Sequence, residues 1–148
     1  MLDIMKKYYL LFITGLFFSS CYFNATLTNE ESEKEKGELV AEKLYDYIRS
    51  KEFDGSIQTY LSNVMMQNNS MDILNQTFKN IQSENGSFVS KELIDWNTKR
   101  GKGKDKLVWE CTLYYRVNYE RGVLNETVYL IKENDSIKIH YYKLRHQE

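Results

Sequence analysis

The chain has 148 residues and a formal net charge of -1, with 20 Lys and Arg residues against 21 Asp and Glu residues. This balance argues against a nucleic-acid-binding domain, which would be strongly basic. The length suits a single domain with a hydrophobic core. Only two cysteines and two histidines are present, and their positions lack the spacing of a metal site. We therefore expect no metal and no cofactor.

The first 20 residues have the pattern of an export signal. Lys6 and Lys7 precede an apolar run over residues 8–18. A transmembrane helix needs about 20 apolar residues, whereas this run would rise only about 16 Å as a helix. The run is therefore too short to cross a bilayer and suits a signal peptide.

The apolar run ends in Phe18-Ser19-Ser20-Cys21, which resembles the lipobox of bacterial lipoproteins. In that family the cysteine thiol receives a diacylglycerol, the preceding peptide is cleaved, and the new amine is usually acylated by a chain such as palmitate. The resemblance implies a signal peptide over residues 1–20 and lipidation at Cys21. It also implies a place in the cell envelope, on a bacterial membrane and facing away from the cytoplasm. A plain secretory signal with an incidental cysteine and a short membrane anchor are the alternatives.

The rest of the chain divides into a tether and one domain. Residues 21–29 are polar without periodicity and predict a flexible tether, so the domain is expected over residues 30–148. The charge run over residues 30–36 is typical of the solvated first turns of a helix, where acidic side chains suit the helix dipole.

Apolar residues at three- and four-residue steps predict three helices, over residues 38–51, 57–65 and 71–81. Ser70 is a suitable N-cap for the third helix, and Gly86 follows its end. After Gly86 the spacing of the apolar residues changes to every second position. Alternating apolar residues predict four strands, over residues 88–97, 107–119, 124–133 and 137–145.

Helices followed by consecutive strands predict an α+β domain in which N-terminal helices pack on a curled four-stranded antiparallel sheet. Residues 92–97 and 125–142 are similar to small exported domains of unknown function with the cystatin-like roll of the nuclear-transport-factor-two superfamily. The resemblance covers the layout of most of the mature chain and the residues of about its last third. It implies a cystatin-like roll but no particular function, because one fold hosts many functions.

Glu126 is a candidate pocket residue. It has the same strand parity as Leu124, Val128 and Leu130, which places its carboxylate inside the roll. The position near a hairpin end predicts that the carboxylate can reach water. Enzymes of the resembled superfamily often use a carboxylate inside the cone, so the resemblance leaves a small enzyme as an alternative function.

Five basic side chains occur in a predicted turn over residues 98–106: Lys99, Arg100, Lys102, Lys104 and Lys106. No helix follows, so this is not a phosphate-binding P-loop. The turn is either a solvated hairpin loop or an anion-binding loop. As an anion-binding loop it would contact lipid headgroups or an acidic envelope polymer.

Cys111 alternates with Trp109 and Leu113 and is predicted to lie in the core, where cysteine behaves as a small hydrophobe. His140 has the opposite parity to Ile139 and is predicted to lie on the surface. Several tyrosines occupy the strands, where they would stabilise the sheet through cross-strand pairs; an exposed row could instead stack on a sugar or peptide. These side chains are Tyr114, Tyr115, Tyr119, Tyr129, Tyr141 and Tyr142.

Together these features predict a lipid-anchored cell-envelope protein that acts as a non-catalytic binding or assembly module. Its expected partners are the membrane, through the lipid on Cys21, and an envelope protein or polymer, but not nucleic acid. No catalytic residue is assigned. A small enzyme and a structural spacer without a ligand are the two alternative functions.

Overall fold

The computed structural model describes residues 26–67, 70–102 and 107–145. Cys21, the predicted signal peptide, Lys104, Lys106 and His146 lie outside these ranges. The helices are α1 (Glu31–Ser50), α2 (Asn63–Met66) and α3 (Ser70–Asn85), with a 3₁₀ helix over Ser56–Tyr60. The strands are β1 (Leu27–Thr28), β2 (Phe88–Lys102), β3 (Leu107–Tyr119), β4 (Gly122–Glu133) and β5 (Ser136–Arg145). No helix within these ranges is long and apolar enough to cross a membrane.

The predicted α+β class is confirmed. The sheet has five strands in the order β1-β2-β3-β4-β5, and each strand pairs antiparallel with its neighbour. The predicted number of four strands is wrong. Leu27 and Thr28, which were expected to be part of the tether, pair with Arg100 and Lys99 of β2.

Helix α1 begins at Glu31, earlier than the apolar period indicates, because the charge run forms its first turns. Most of the run is exposed, as expected, but Glu33 is buried. Glu31 and Glu33 lie in the first turn, where negative charge is favoured by the helix dipole. Its apolar stripe is buried against the sheet; Ala41, Leu44 and Tyr45 have no exposed area. The helix therefore forms the main layer over one face of the sheet.

The prediction of one helix over residues 57–65 is wrong. The chain forms the 3₁₀ helix and the short α2 instead, with Leu61 and Ser62 between them. Leu61 bridges Ile139 of β5, and the Ser62 amide donates to the Ile139 carbonyl at 2.9 Å. These backbone bonds to β5 replace the helical bonds that the apolar period predicts.

Strand β2 extends to Lys102, so the predicted turn over residues 98–106 is wrong for its first five residues. They continue the pairing with β3, where Thr98 lies opposite Cys111 and Arg100 opposite Trp109. A bulge between Leu93 and Asp95 places one extra residue in the strand and shifts the parity.

Strand β3 is the centre of the sheet and has the predicted bounds. Its alternate residues are buried against the helices: Trp109, Cys111, Leu113, Tyr115, Val117 and Tyr119. The prediction that Cys111 is a core residue is confirmed, since it has no exposed area. This inward face supplies the largest part of the hydrophobic core.

The hairpin between β4 and β5 turns at Asn134 and Asp135, whose φ angles are 49° and 62°. Two consecutive left-handed residues are typical of a type I′ turn, which matches the twist of the strands. Further along β5, a bulge shifts the register so that Tyr129 lies opposite Tyr141 and Leu130 opposite Ile139. His140 is the extra residue, and it changes the parity of the strand's second half.

Candidate functional site

Glu126 of β4 points into the domain, as its parity predicts, but it does not reach water. The side chain has no exposed area. Its Oε1 accepts a hydrogen bond from the Tyr119 hydroxyl at 2.8 Å, and its Oε2 accepts one from the Tyr45 hydroxyl at 3.0 Å. Tyr45 on α1 lies against the carboxylate that was expected to reach water.

The surroundings of Glu126 are uncharged tyrosines. Burial raises the pKa of the carboxyl group, and the neighbouring hydroxyls of Tyr119, Tyr142 and Tyr45 offset only part of this effect. The Tyr142 hydroxyl is buried beside the carboxylate without a hydrogen bond of normal geometry. Glu126 lines none of the three cavities described below. Glu126 and the three tyrosines around it, Tyr45, Tyr119 and Tyr142, form a cluster that is a polar part of the core.

A charged cavity of about 220 Å³ lies at the opposite end of the sheet. It is enclosed by the first turns of α1, the paired ends of β2 and β3, and the hairpin of β4 and β5. We call it the charged pocket. Its lining residues are Glu33, Lys36, Arg100, Leu107, Trp109, Lys132, Asp135 and Ile137.

Glu33 accepts hydrogen bonds from three other side chains that line the charged pocket. Its carboxylate is buried, with 4% of the residue exposed, and Oε2 accepts from the Trp109 indole N–H. Oε1 accepts from Lys36 Nζ at 2.9 Å and from Arg100 Nη1 at 3.0 Å. Burial alone would raise the pKa of this carboxyl group, but the Lys36 and Trp109 hydrogen bonds and the nearby cations lower it. The carboxylate is therefore ionised and fixes two cationic side chains at the cavity wall.

The charged pocket has one more positive than negative side chain. Lys132 Nζ lies 3.1 Å from Asp135 Oδ1, and the Asp135 side chain is 97% exposed. Three cations thus face two carboxylates. The side chains of Lys36 and Arg100 are 51% and 46% exposed, so solvent reaches them. Such an arrangement can bind an anion, because guanidinium and ammonium groups form strong charge-assisted hydrogen bonds with oxyanions.

Among the members of the predicted basic loop that the structure describes, Lys99, Arg100 and Lys102, only Arg100 lines this cavity. Arg100 is exposed but lies at the cavity wall with Trp109, whereas Lys99 is exposed without lining the cavity and Lys102 lies at the end of β2. Lys36 and Lys132 join Arg100 from distant parts of the chain. A usable indication in the sequence was the parity of Lys132, which matches that of the buried Val128 and Leu130.

A second cavity, an apolar groove of about 300 Å³, lies between α3 and β5. His140 lines it and is half-buried rather than fully exposed, because the bulge in β5 turns it toward Ser62. Its Nδ1 lies 3.1 Å from Ser62 Oγ. A third cavity of about 290 Å³ lies between the end of α1 and the 3₁₀ helix. Within the described ranges, no group of three or more His, Cys, Asp or Glu residues could hold a metal ion.

The strand tyrosines mainly support the sheet. Tyr115 and Tyr119 are buried, and Tyr141 is 43% exposed. On the outer face the rings of Tyr129 and Tyr141 lie 5.3 Å apart, as cross-strand neighbours do. The described tyrosines therefore do not form a continuous exposed row.

Comparison with protein-family models, with curated proteins and with solved structures finds no match to this chain.

Proposed function

We propose that this protein is a lipid-anchored binding module of the bacterial cell envelope, without catalytic activity, and that its domain is a cystatin-like roll. The resemblance of Phe18-Ser19-Ser20-Cys21 to a lipobox supports the anchor. A five-stranded antiparallel sheet with α1 across one face supports the roll.

The observation that carries the binding function is the contrast between the two ends of the domain. Glu126, the ionisable group expected inside the cone, is enclosed and accepts hydrogen bonds from Tyr45 and Tyr119. An interior catalytic group needs an opening for its substrate, and Glu126 lines none of the three cavities. The charged pocket, in contrast, exposes Lys36 and Arg100 to solvent. Binding at this pocket is the function that the geometry favours over an enzyme working inside the roll.

The test of the anchor is the substitution Cys21→Ala, expressed in a bacterium that lipidates exported proteins. We expect the wild-type protein in the membrane fraction. Its intact mass should correspond to a chain that starts at residue 21 and carries acyl chains. The variant should lose the acyl mass and leave the membrane fraction.

Cys111→Ala is the matched control, because it removes the only other cysteine and should leave the acyl mass unchanged. Retention of Cys21→Ala in the membrane fraction, or a wild-type product without acyl mass, contradicts the proposal.

A further inference from the structure

We infer that the charged pocket binds the phosphate group of an anionic lipid headgroup in the membrane that holds the anchor. This inference rests on the proposed function, because the anchor is what brings the pocket to that membrane. The argument uses the position of the pocket, its charge and its size.

The position follows from the pairing of β1 with β2. Leu27 lies directly opposite Arg100, and directly opposed residues in an antiparallel pair have Cα atoms about 5 Å apart. Leu27 is six positions after Cys21, and a chain segment of that length spans at most about 20 Å. A lipid on Cys21 would therefore hold Arg100 within a few Debye lengths of the bilayer surface.

The charge of the pocket selects a net anionic headgroup. Lys36, Arg100 and Lys132 outnumber Glu33 and Asp135 by one positive charge. The described hydrogen bond of Arg100 uses only Nη1, and a guanidinium has five N–H donors. The remaining donors of Arg100 match the oxygens of a phosphate group.

The size of the cavity limits how much of a lipid it can hold. Its volume is about 220 Å³, compared with roughly 30 Å³ for one water molecule in the liquid. This space holds a phosphate and part of a glycerol group, while the acyl chains stay in the bilayer. Glu33 fixes Lys36 and Arg100 before any ligand arrives, which lowers the entropic cost of binding.

Trp109 provides the readout, since it lines the pocket and donates to Glu33. The chain has two tryptophans, so Trp96→Phe leaves Trp109 as the single indole. The full chain carrying this substitution, solubilised in a neutral detergent, is titrated with dihexanoylphosphatidylglycerol, dihexanoylphosphatidylcholine and inorganic phosphate. We expect saturable fluorescence changes with the first lipid, and binding at least about tenfold weaker for the zwitterionic lipid and for phosphate.

In this background Arg100→Gln should weaken phosphatidylglycerol binding about tenfold or more, since a charge-assisted hydrogen bond is lost. Lys99→Gln is the matched control, because the adjacent exposed residue carries the same charge; its effect should stay below about threefold. If Arg100→Gln does not fold, as judged by near-ultraviolet circular dichroism, Lys132→Gln serves the same purpose.

Three results overturn the inference: equal weakening by Arg100→Gln and Lys99→Gln, equal binding of the two lipids, or inorganic phosphate binding as tightly as phosphatidylglycerol. The last result would assign the pocket to a free phosphate source. Because the titration is done in detergent, it does not depend on lipidation of Cys21. Failure of the proposed lipid anchor would appear in the membrane fractionation of Cys21→Ala, whereas failure of the proposed binding at the charged pocket would appear in the detergent titration.

Discussion

Gly37 on α1 lies directly against Cys111 on β3, and a Cβ atom at position 37 would come within 2.6 Å of the Cys111 Sγ. Both residues are buried. The close approach of the helix to the sheet at this point requires the absence of a side chain. This contact sets the depth at which α1 packs on the central strand.

Gly37→Ala is therefore expected to destabilise the fold, although alanine normally stabilises a helix interior by about 1 kcal/mol relative to glycine. Overpacking of this kind costs about 1–3 kcal/mol, so a net loss of up to about 2 kcal/mol should appear in urea unfolding. In a Cys111→Ala background the sulfur is gone, and the same substitution should stabilise the fold by up to about 1 kcal/mol. An equal cost in both backgrounds would show that the contact with Cys111 is not the cause.

The contribution of Glu126 to the stability of the domain should fall with rising pH. Its folded pKa lies above the ordinary value of 4.5, since burial disfavours the charged form. Its contribution is fully present below the unfolded pKa and is lost as pH rises through the folded pKa. Glu126→Gln cannot ionise, so its stability relative to wild type should improve as the pH rises above the ordinary value of 4.5. Unfolding in urea at several pH values measures this difference; a constant difference would rule out ionisation of Glu126 as the cause.

Complete removal of the Glu126 carboxyl group should be more harmful than its neutralisation. Glu126→Ala leaves the hydroxyls of Tyr45 and Tyr119 without their acceptor and opens a cavity. Each buried polar group left unpaired costs about 1–3 kcal/mol, so we expect a loss of about 2–6 kcal/mol in the same urea experiment. A loss no larger than that of Glu126→Gln would contradict the structural role of the cluster.

Glu33 should make the opposite contribution to the pH dependence. Its pKa is lowered, because the hydrogen bonds from Lys36 and Trp109 and the charges of Lys36 and Arg100 outweigh the effect of burial. Its stabilisation is present above the ordinary value of 4.5 and is lost as pH falls through the folded pKa. Glu33→Gln should therefore lose less stability than wild type on acidification.

Glu31→Gln is the control for this measurement, because Glu31 lies in the same helical turn and pairs with Lys34 at the surface. Thermal unfolding of the three chains between about pH 5 and about pH 3 supplies the comparison. Identical acid sensitivity of Glu33→Gln and wild type would show that the ionised Glu33 does not stabilise the fold.

The Cys111 thiol should be unreactive in the folded protein. It has no exposed area, and burial, followed by the charges of Glu38 and Glu33, raises its pKa to about 12. The thiolate is the reactive form. In a Cys21→Ala chain, the rate at which Cys111 reacts with a disulfide reagent should therefore be limited by the rate of unfolding. Labelling in buffer at the rate seen in denaturant would contradict the burial of this thiol.

The sequence predicted the elements whose period is unbroken and missed those that depend on distant contacts. Strand β3 alternates without interruption over Leu107–Tyr119, and its predicted bounds are correct. The second helix was wrong because Ser62 bonds to the backbone of Ile139, a tertiary contact that local periodicity does not contain. The bulges in β2 and β5 each insert one residue, so parity after them could not be read from alternation alone.

The candidate site was only partly predictable for the same reason. Arg100 was singled out because it lies in a basic run, and Glu126 because its parity points inward. Glu33 was considered a solvated residue, since the charge run around it has no apolar period. Its burial depends on Trp109, which lies 76 positions away.

The attachment of the chain's first described residues to β2 has a mechanical consequence. The Asn29 amide donates to the Thr98 carbonyl, and the Glu30 amide donates to the Thr98 side chain, both at 2.9 Å. A pulling force applied through the N-terminal segment reaches these bonds and the β1–β2 pair before it reaches α1. The force on α1 is thereby reduced, because the hydrogen bonds at the β1–β2 edge of the sheet resist the pull first.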